Sequence, residues 1–118
     1  MKLMVKFLII AIILCAGCSK APVVTKNYDA LAQCMNTAGA IMYGTEWCPH
    51  CKDQKAMFGS SFKYINYVDC DTYKDICVAA GVEGYPTWKI NNNTYAGTQN
   101  IYDLASRTGC VAELVNAT

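Results

Sequence analysis

The sequence holds one histidine, three prolines and no surplus of charge, and each shortage closes off a class of function. Ten Lys and Arg stand against nine Asp and Glu, so a net charge of +1 offers no basic surface for a nucleic acid. The lone His50 lies inside the motif Cys48-Pro49-His50-Cys51, and Cys70 and Cys77 are spaced too widely for a zinc knuckle. No metal is therefore expected, and no motif asks for a cofactor. There is no internal repeat or low-complexity tract. No apolar run reaches the roughly 20 residues that span a bilayer. A chain of 118 residues has room for one domain.

Cysteine and a short apolar leader are what the sequence has instead. Lys2 and Lys6 precede an unbroken apolar stretch, residues 7–14, that closes on Cys15-Ala16-Gly17-Cys18. This pattern reads as a secretory signal over residues 1–18. Ala16-Gly17-Cys18 resembles a bacterial lipoprotein cleavage box, which makes Cys18 the expected lipidated first residue, although Cys15 stands where Leu is usual. A simple cleaved signal and an uncleaved anchor are the alternatives. Residues 19–27, polar and broken by Pro22, suit a linker, and 28–116 form the domain.

Export places the domain where disulfides persist, and about 100 residues bury too little surface to make covalent staples superfluous. Six cysteines remain in the folded part: Cys34, Cys48, Cys51, Cys70, Cys77 and Cys110. Taking Cys48 with Cys51 leaves three ways to join the other four. Cys70 and Cys77 flank a short segment, which favours Cys70–Cys77 and hence Cys34–Cys110, the pair that closes the longest loop.

The pattern of elements is helix, strand, helix, strand, helix, hairpin, helix. Asp29 is expected to cap a helix carrying Leu31, Cys34, Met35 and Ala38, which Gly39 ends. Residues 40–43 read as a buried strand, and Pro49 opens a helix that reaches Phe58. Residues 62–69 alternate as a strand, 72–80 read as a helix stopped by Gly81, and 87–90 pair with 94–96 across Asn91-Asn92-Asn93. Asn100, with Asp103 three residues on, caps a final helix ending near Gly109. Parallel strands joined by helices, then an antiparallel pair and a closing helix, predict an α/β fold with a central mixed sheet flanked by helices.

Chemistry concentrates at Cys48 and Cys51. Two cysteines separated by two residues at the first turn of a helix can close a disulfide, where unpaired N–H groups and the helix dipole favour a thiolate. Cys48 is the expected nucleophile, exposed at the helix tip beside Pro49, and Cys51 lies one turn inward as the resolving thiol. A protonated His50 adds positive charge beside Cys48, which stabilises the reduced form and makes the pair more oxidising.

Glu46-Trp47-Cys48 with Cys51, followed by Gly84-Tyr85-Pro86-Thr87, resembles the thioredoxin family. The resemblance implies a thioredoxin fold, a cis Pro86 against the active-site disulfide, and a substrate-binding surface at Trp47 and Tyr85, whose backbone pairs with an extended chain. Met42-Tyr43-Gly44, Trp47 through Lys55, Phe58-Gly59 and Tyr85-Pro86-Thr87-Trp88 are more similar still to the thioredoxin-like domain fused to bacterial vitamin K epoxide reductase homologues. That similarity covers roughly Leu31 to Cys110. It implies a disulfide donor to cysteine-containing exported proteins, reoxidised by a quinone-linked membrane partner. Met42 occupies the place of the family's buried acid, so the usual carboxylate beside the resolving cysteine is missing, and Glu46 is expected to be an exposed, solvated residue. The expectation is an extracytoplasmic thiol-disulfide oxidoreductase, periplasmic or at the cell surface and held to the membrane through Cys18. The alternatives are a reductase or isomerase fed by a transmembrane electron donor, and a binding module whose disulfide is only structural.

Overall fold

The computed structural model describes Gly17 and residues 26–117. The signal segment, Cys18 and most of the linker lie outside the described residues. No described helix is long and apolar enough to cross a membrane.

Four strands form one mixed sheet in the order β2-β1-β3-β4. Strand β1 (Ile41–Gly44) runs parallel to β2 (Asn66–Asp69) and antiparallel to β3 (Thr87–Ile90), which pairs in turn with β4 (Asn93–Ala96). Because successive side chains of a strand face opposite sides, β1 serves two cores. Met42 enters the larger, with Leu31 and Met35 of α1 (Asp29–Thr37), Phe58 of α2 (Pro49–Phe58), Trp88 of β3 and Leu104 of α4 (Ile101–Thr108). Tyr43 and partly buried Ile41 enter the smaller, with Cys70 and with Cys77 of α3 (Lys74–Ala79). This is the thioredoxin fold expected from the sequence, in a single domain.

Four local expectations are corrected. Asp29 is the first helical residue of α1 and not its cap: Asn27 Oδ1 accepts the Asp29 N–H at 2.9 Å, while the Asp29 carboxylate accepts from Ser61 Oγ at 2.7 Å. Residues 62–64 are not strand. They end a 3-10 helix, Gly59–Tyr64, because Gly59 turns the chain at φ 56° and Phe62 folds back beside Phe58, ring centroids 6.2 Å apart. The hairpin turn is only two residues, Asn91 and Asn92 at φ 51° and 63°, so Asn93 joins β4 opposite Ile90. That geometry is the one whose twist matches antiparallel strands, and Asn tolerates it. Finally, Gly109, left-handed at φ 73°, does end α4, but a further helix α5 (Val111–Val115) follows and buries Leu114.

Asn100 caps α4 as expected, its Oδ1 accepting the Tyr102 N–H at 2.7 Å. Helix α3 starts two residues late because Asp69 accepts from Asp71 N–H and the Thr72 hydroxyl, holding that stretch as a turn.

Candidate active site

The C-terminal end of β1, the segment leading into the N-terminal end of β3 and the start of α2 bring Cys48, Cys51, Tyr85 and Pro86 together. Cys48 is the N-cap of α2, with extended φ/ψ of −71° and 119°, and Pro49 follows at the first helical position. Its Sγ accepts the Cys51 N–H at 3.3 Å, one of the donors a helix start leaves unpaired. The same sulfur lies 3.5 Å from the Tyr85 carbonyl oxygen, to which its S–H donates. The Tyr85–Pro86 peptide bond is cis. Cys48 was expected to stand exposed at the helix tip; it is only 5% exposed. The Tyr85 backbone covers the sulfur from one side and the first turn of α2 covers it from below.

Around this sulfur, two aromatic side chains remain open. Trp47 is 63% exposed and Tyr85 37%, and their rings meet edge to face at 6.2 Å. Trp47 is not loose, because its Nε1 donates to Asp71 Oδ2 at 2.9 Å. Asp71 follows Cys70, which is bonded to Cys77, so the small disulfide loop steadies the aromatic wall of the site. The second disulfide joins Cys34 to Cys110, the two ends of the domain. Cys48 and Cys51 are free thiols. His50 is exposed at the second position of α2, and its carbonyl accepts from Thr98 Oγ1 at 3.4 Å.

Cys51 has no exposed surface. Burial, followed by its hydrogen bond with Cys48, pushes its thiol from 9.0 up to about 12; a backbone hydrogen bond from Thr45 and the charge of Lys55 act the other way. The chain passes so close here that a Cβ on Gly44 would lie 2.8 Å from Cys51 Sγ and 3.3 Å from the Tyr67 ring edge. Met42, in the same core as Cys51, is fully buried and brings no charge. Glu46 is exposed but not merely solvated, since its carboxylate pairs with Lys55 Nζ at 3.0 Å.

One supporting residue escaped the sequence reading. Gln54, on α2 one turn beyond His50, is fully buried and fully used: its Oε1 accepts from Trp88 Nε1 at 2.9 Å and from Gln99 N–H at 2.7 Å, and its Nε2 donates to Gln99 O at 3.0 Å. It locks the active-site helix to β3 and to the segment before α4. Among the described residues, no group of three or more His, Cys, Asp or Glu is placed to hold a metal ion.

Comparison with known proteins places this geometry in context. The family model described as Thioredoxin matches residues 19–108. The chain is 43% identical over 98 residues to the thiol-disulfide oxidoreductase LTO1 of Arabidopsis thaliana, covering 75% of this chain and 26% of that protein. It is 33% identical over 120 residues to the probable protein disulfide-isomerase ER-60 of Schistosoma mansoni, 86% of this chain and 25% of that one. Protein disulfide isomerase-like 5-1 of Oryza sativa subsp. japonica is 25% identical over 128 residues, 95% of this chain and 87% of that one. The chain thus spans about a quarter of the length of the first two relatives.

Proposed function

The chain belongs to the thioredoxin family, and on that footing we propose that it is a thiol-disulfide oxidoreductase acting through Cys48 and Cys51, which donates disulfides to exported proteins. One observation carries the reading. The Cys48 sulfur caps a helix start at 3.3 Å from the Cys51 N–H and touches the backbone of Tyr85 at 3.5 Å, so an incoming extended chain meets hydrogen-bonding backbone and reactive sulfur at one place.

In the oxidised state a substrate thiolate attacks the Cys48 sulfur, the Cys48–Cys51 bond breaks, and the electron pair leaves on Cys51. A second substrate thiolate then attacks the substrate sulfur of the mixed disulfide. Cys48 leaves as a thiolate that the helix start receives, and the domain holds two electrons and a buried Cys51 thiol. Pro86 and Trp47 frame the approach. His50, exposed beside the first turn, supplies positive charge when protonated.

Recycling needs a two-electron acceptor, for which the resemblance to the vitamin K epoxide reductase fusions suggests a quinone-linked membrane oxidase. Secretion and a lipid on Cys18 would hold the domain beside such a partner; radioactive palmitate fed to cells should appear on the mature protein, and an unlabelled product overturns the anchor. The relatives named as disulfide isomerases support a second reading, in which the pair is kept reduced by a transmembrane donor and reshuffles disulfides.

Cys48→Ser should abolish both insulin reduction and thiol oxidation, and unchanged rates would leave only a binding module. Equilibration with glutathione separates the directions. A potential nearer the roughly −120 mV of a strong oxidant than the roughly −270 mV of thioredoxin supports donation, and the opposite result overturns it.

A further inference from the structure

Exchange asks a fully buried thiol to carry charge, once when Cys51 leaves and again when it attacks. The position that the family resemblance assigns to a buried acid holds Met42, which is fully buried and uncharged. One cation is held nearby with unusual care. Lys55 lies four residues after Cys51 on α2, hence on the same helical face. Its Nζ sits 4.1 Å from the centroid of the Tyr67 ring and 5.5 Å from that of Phe62, rings that themselves meet edge to face at 5.7 Å. Glu46 closes the cage at 3.0 Å, and the lysine side chain is only 22% exposed. The Tyr67 ring edge and the Cys51 sulfur flank the same point above Gly44, which puts the lysine's aromatic platform against the pocket of the thiol.

The ion pair and the two rings hold this lysine in one place, where long charged side chains are otherwise left mobile in water, so its charge stands at a fixed position beside the thiol pocket. We propose that Lys55, fixed by Glu46, Phe62 and Tyr67, is the positive charge that stabilises the Cys51 thiolate during exchange, and that the three residues around it are positioning residues. This rests on the exchange reading given above. The charged and titratable groups that act on Cys51 are Cys48 at the helix cap, Lys55 on the same helix and Tyr67 from β2; Glu46 from the preceding loop and Asp69 act in turn on Tyr67, and Glu46 pairs with Lys55. Of these, Lys55 alone is cationic. The direction of its influence on the Cys51 thiol is downward, against burial.

The test uses the full-length dithiol protein and oxidised glutathione. The Cys48 thiolate takes one glutathione by disulfide exchange and releases the other as a thiolate. Cys51 then loses its proton and attacks the Cys48 sulfur, forming Cys48–Cys51 and expelling the second glutathione thiolate, so two electrons pass from the protein to the glutathione disulfide. Stopped-flow measurement of that second release isolates Cys51. Lys55→Met should slow it roughly tenfold at pH 7 and move its rise with pH to higher pH, while Lys55→Arg should keep the rate within about threefold of the parent. Release by Lys55→Met at the parental rate and pH profile overturns the proposal. So does Lys55→Arg slowed as much as Lys55→Met, because packing alone would then be at stake. In Cys51→Ala the glutathione adduct should accumulate at Cys48; if it does not, the exchange reading fails and this inference falls with it.

Discussion

At the level of single residues, the asymmetry between the two thiols decides the chemistry. Cys48 has a helix start to receive its charge, whereas Cys51 has burial against it and a thiol raised from 9.0 to about 12. The folded state therefore keeps a proton on Cys51 that the unfolded chain gives up near 9, so the dithiol form gains stability from this group below pH 9 and loses it as pH rises from 9 toward 12. Thermal unfolding of the reduced protein should show a steeper decline above pH 9 than that of Cys51→Ala, and parallel curves would contradict it. Gly44 is the second consequence. Its backbone conformation suits any residue, yet a methyl there would press on the Cys51 sulfur at 2.8 Å. Gly44→Ala should fold, move the sulfur, and lower the rate of insulin reduction at least severalfold; an unaltered rate would show that Cys51 moves aside without consequence.

Secondary-structure elements meet the site through contacts that span long stretches of chain. Gln54 and Gln99 are 45 residues apart, Trp47 and Asp71 are 24 apart, and neither pairing leaves a local pattern. That is why the sequence announced the motif but not its supports. Cys48-Pro49-His50-Cys51 and the helix opened by Pro49 are read from neighbouring residues, whereas the cis Pro86 beside them was legible only through the family resemblance. Phe62 misled for the same reason in reverse: its alternation with Tyr64 looked like a strand, while the contact that matters is Phe58, one turn back. Helix α5 was hidden behind Gly109, a stop signal that carries no information on what resumes after it. Gln54→Leu tests the bracket. It strands the Trp88 and Gln99 N–H groups in the interior, a loss of about 2 to 4 kcal/mol in urea unfolding. A loss below about 0.5 kcal/mol would mean that water or a neighbour replaces the amide.

Across the whole molecule, the two disulfides among the described residues, of unequal reach, divide the labour. Cys70–Cys77 closes a loop of sequence separation 7 and stiffens the wall that holds Trp47, while Cys34–Cys110, separation 76, encloses the entire sheet. Chain entropy assigns the longer closure about 4.5 kcal/mol. The Cys34→Ala, Cys110→Ala double variant should unfold at correspondingly lower urea, and an unchanged midpoint would show that the unfolded chain gains nothing from losing the link. The same bond also sets how the domain answers tension. A pull applied at residues 26 and 117 runs along α1 to Cys34, crosses the sulfur bridge and leaves through α5, so the sheet, Cys48 and Cys51 lie in a closed ring that carries no load. With the bridge intact only the short arms outside it can lengthen, about 50 Å of contour at roughly 3.5 Å per residue; reduced, the described stretch pays out several times as much. Single-molecule stretching in the presence and absence of a thiol reductant would read that difference directly.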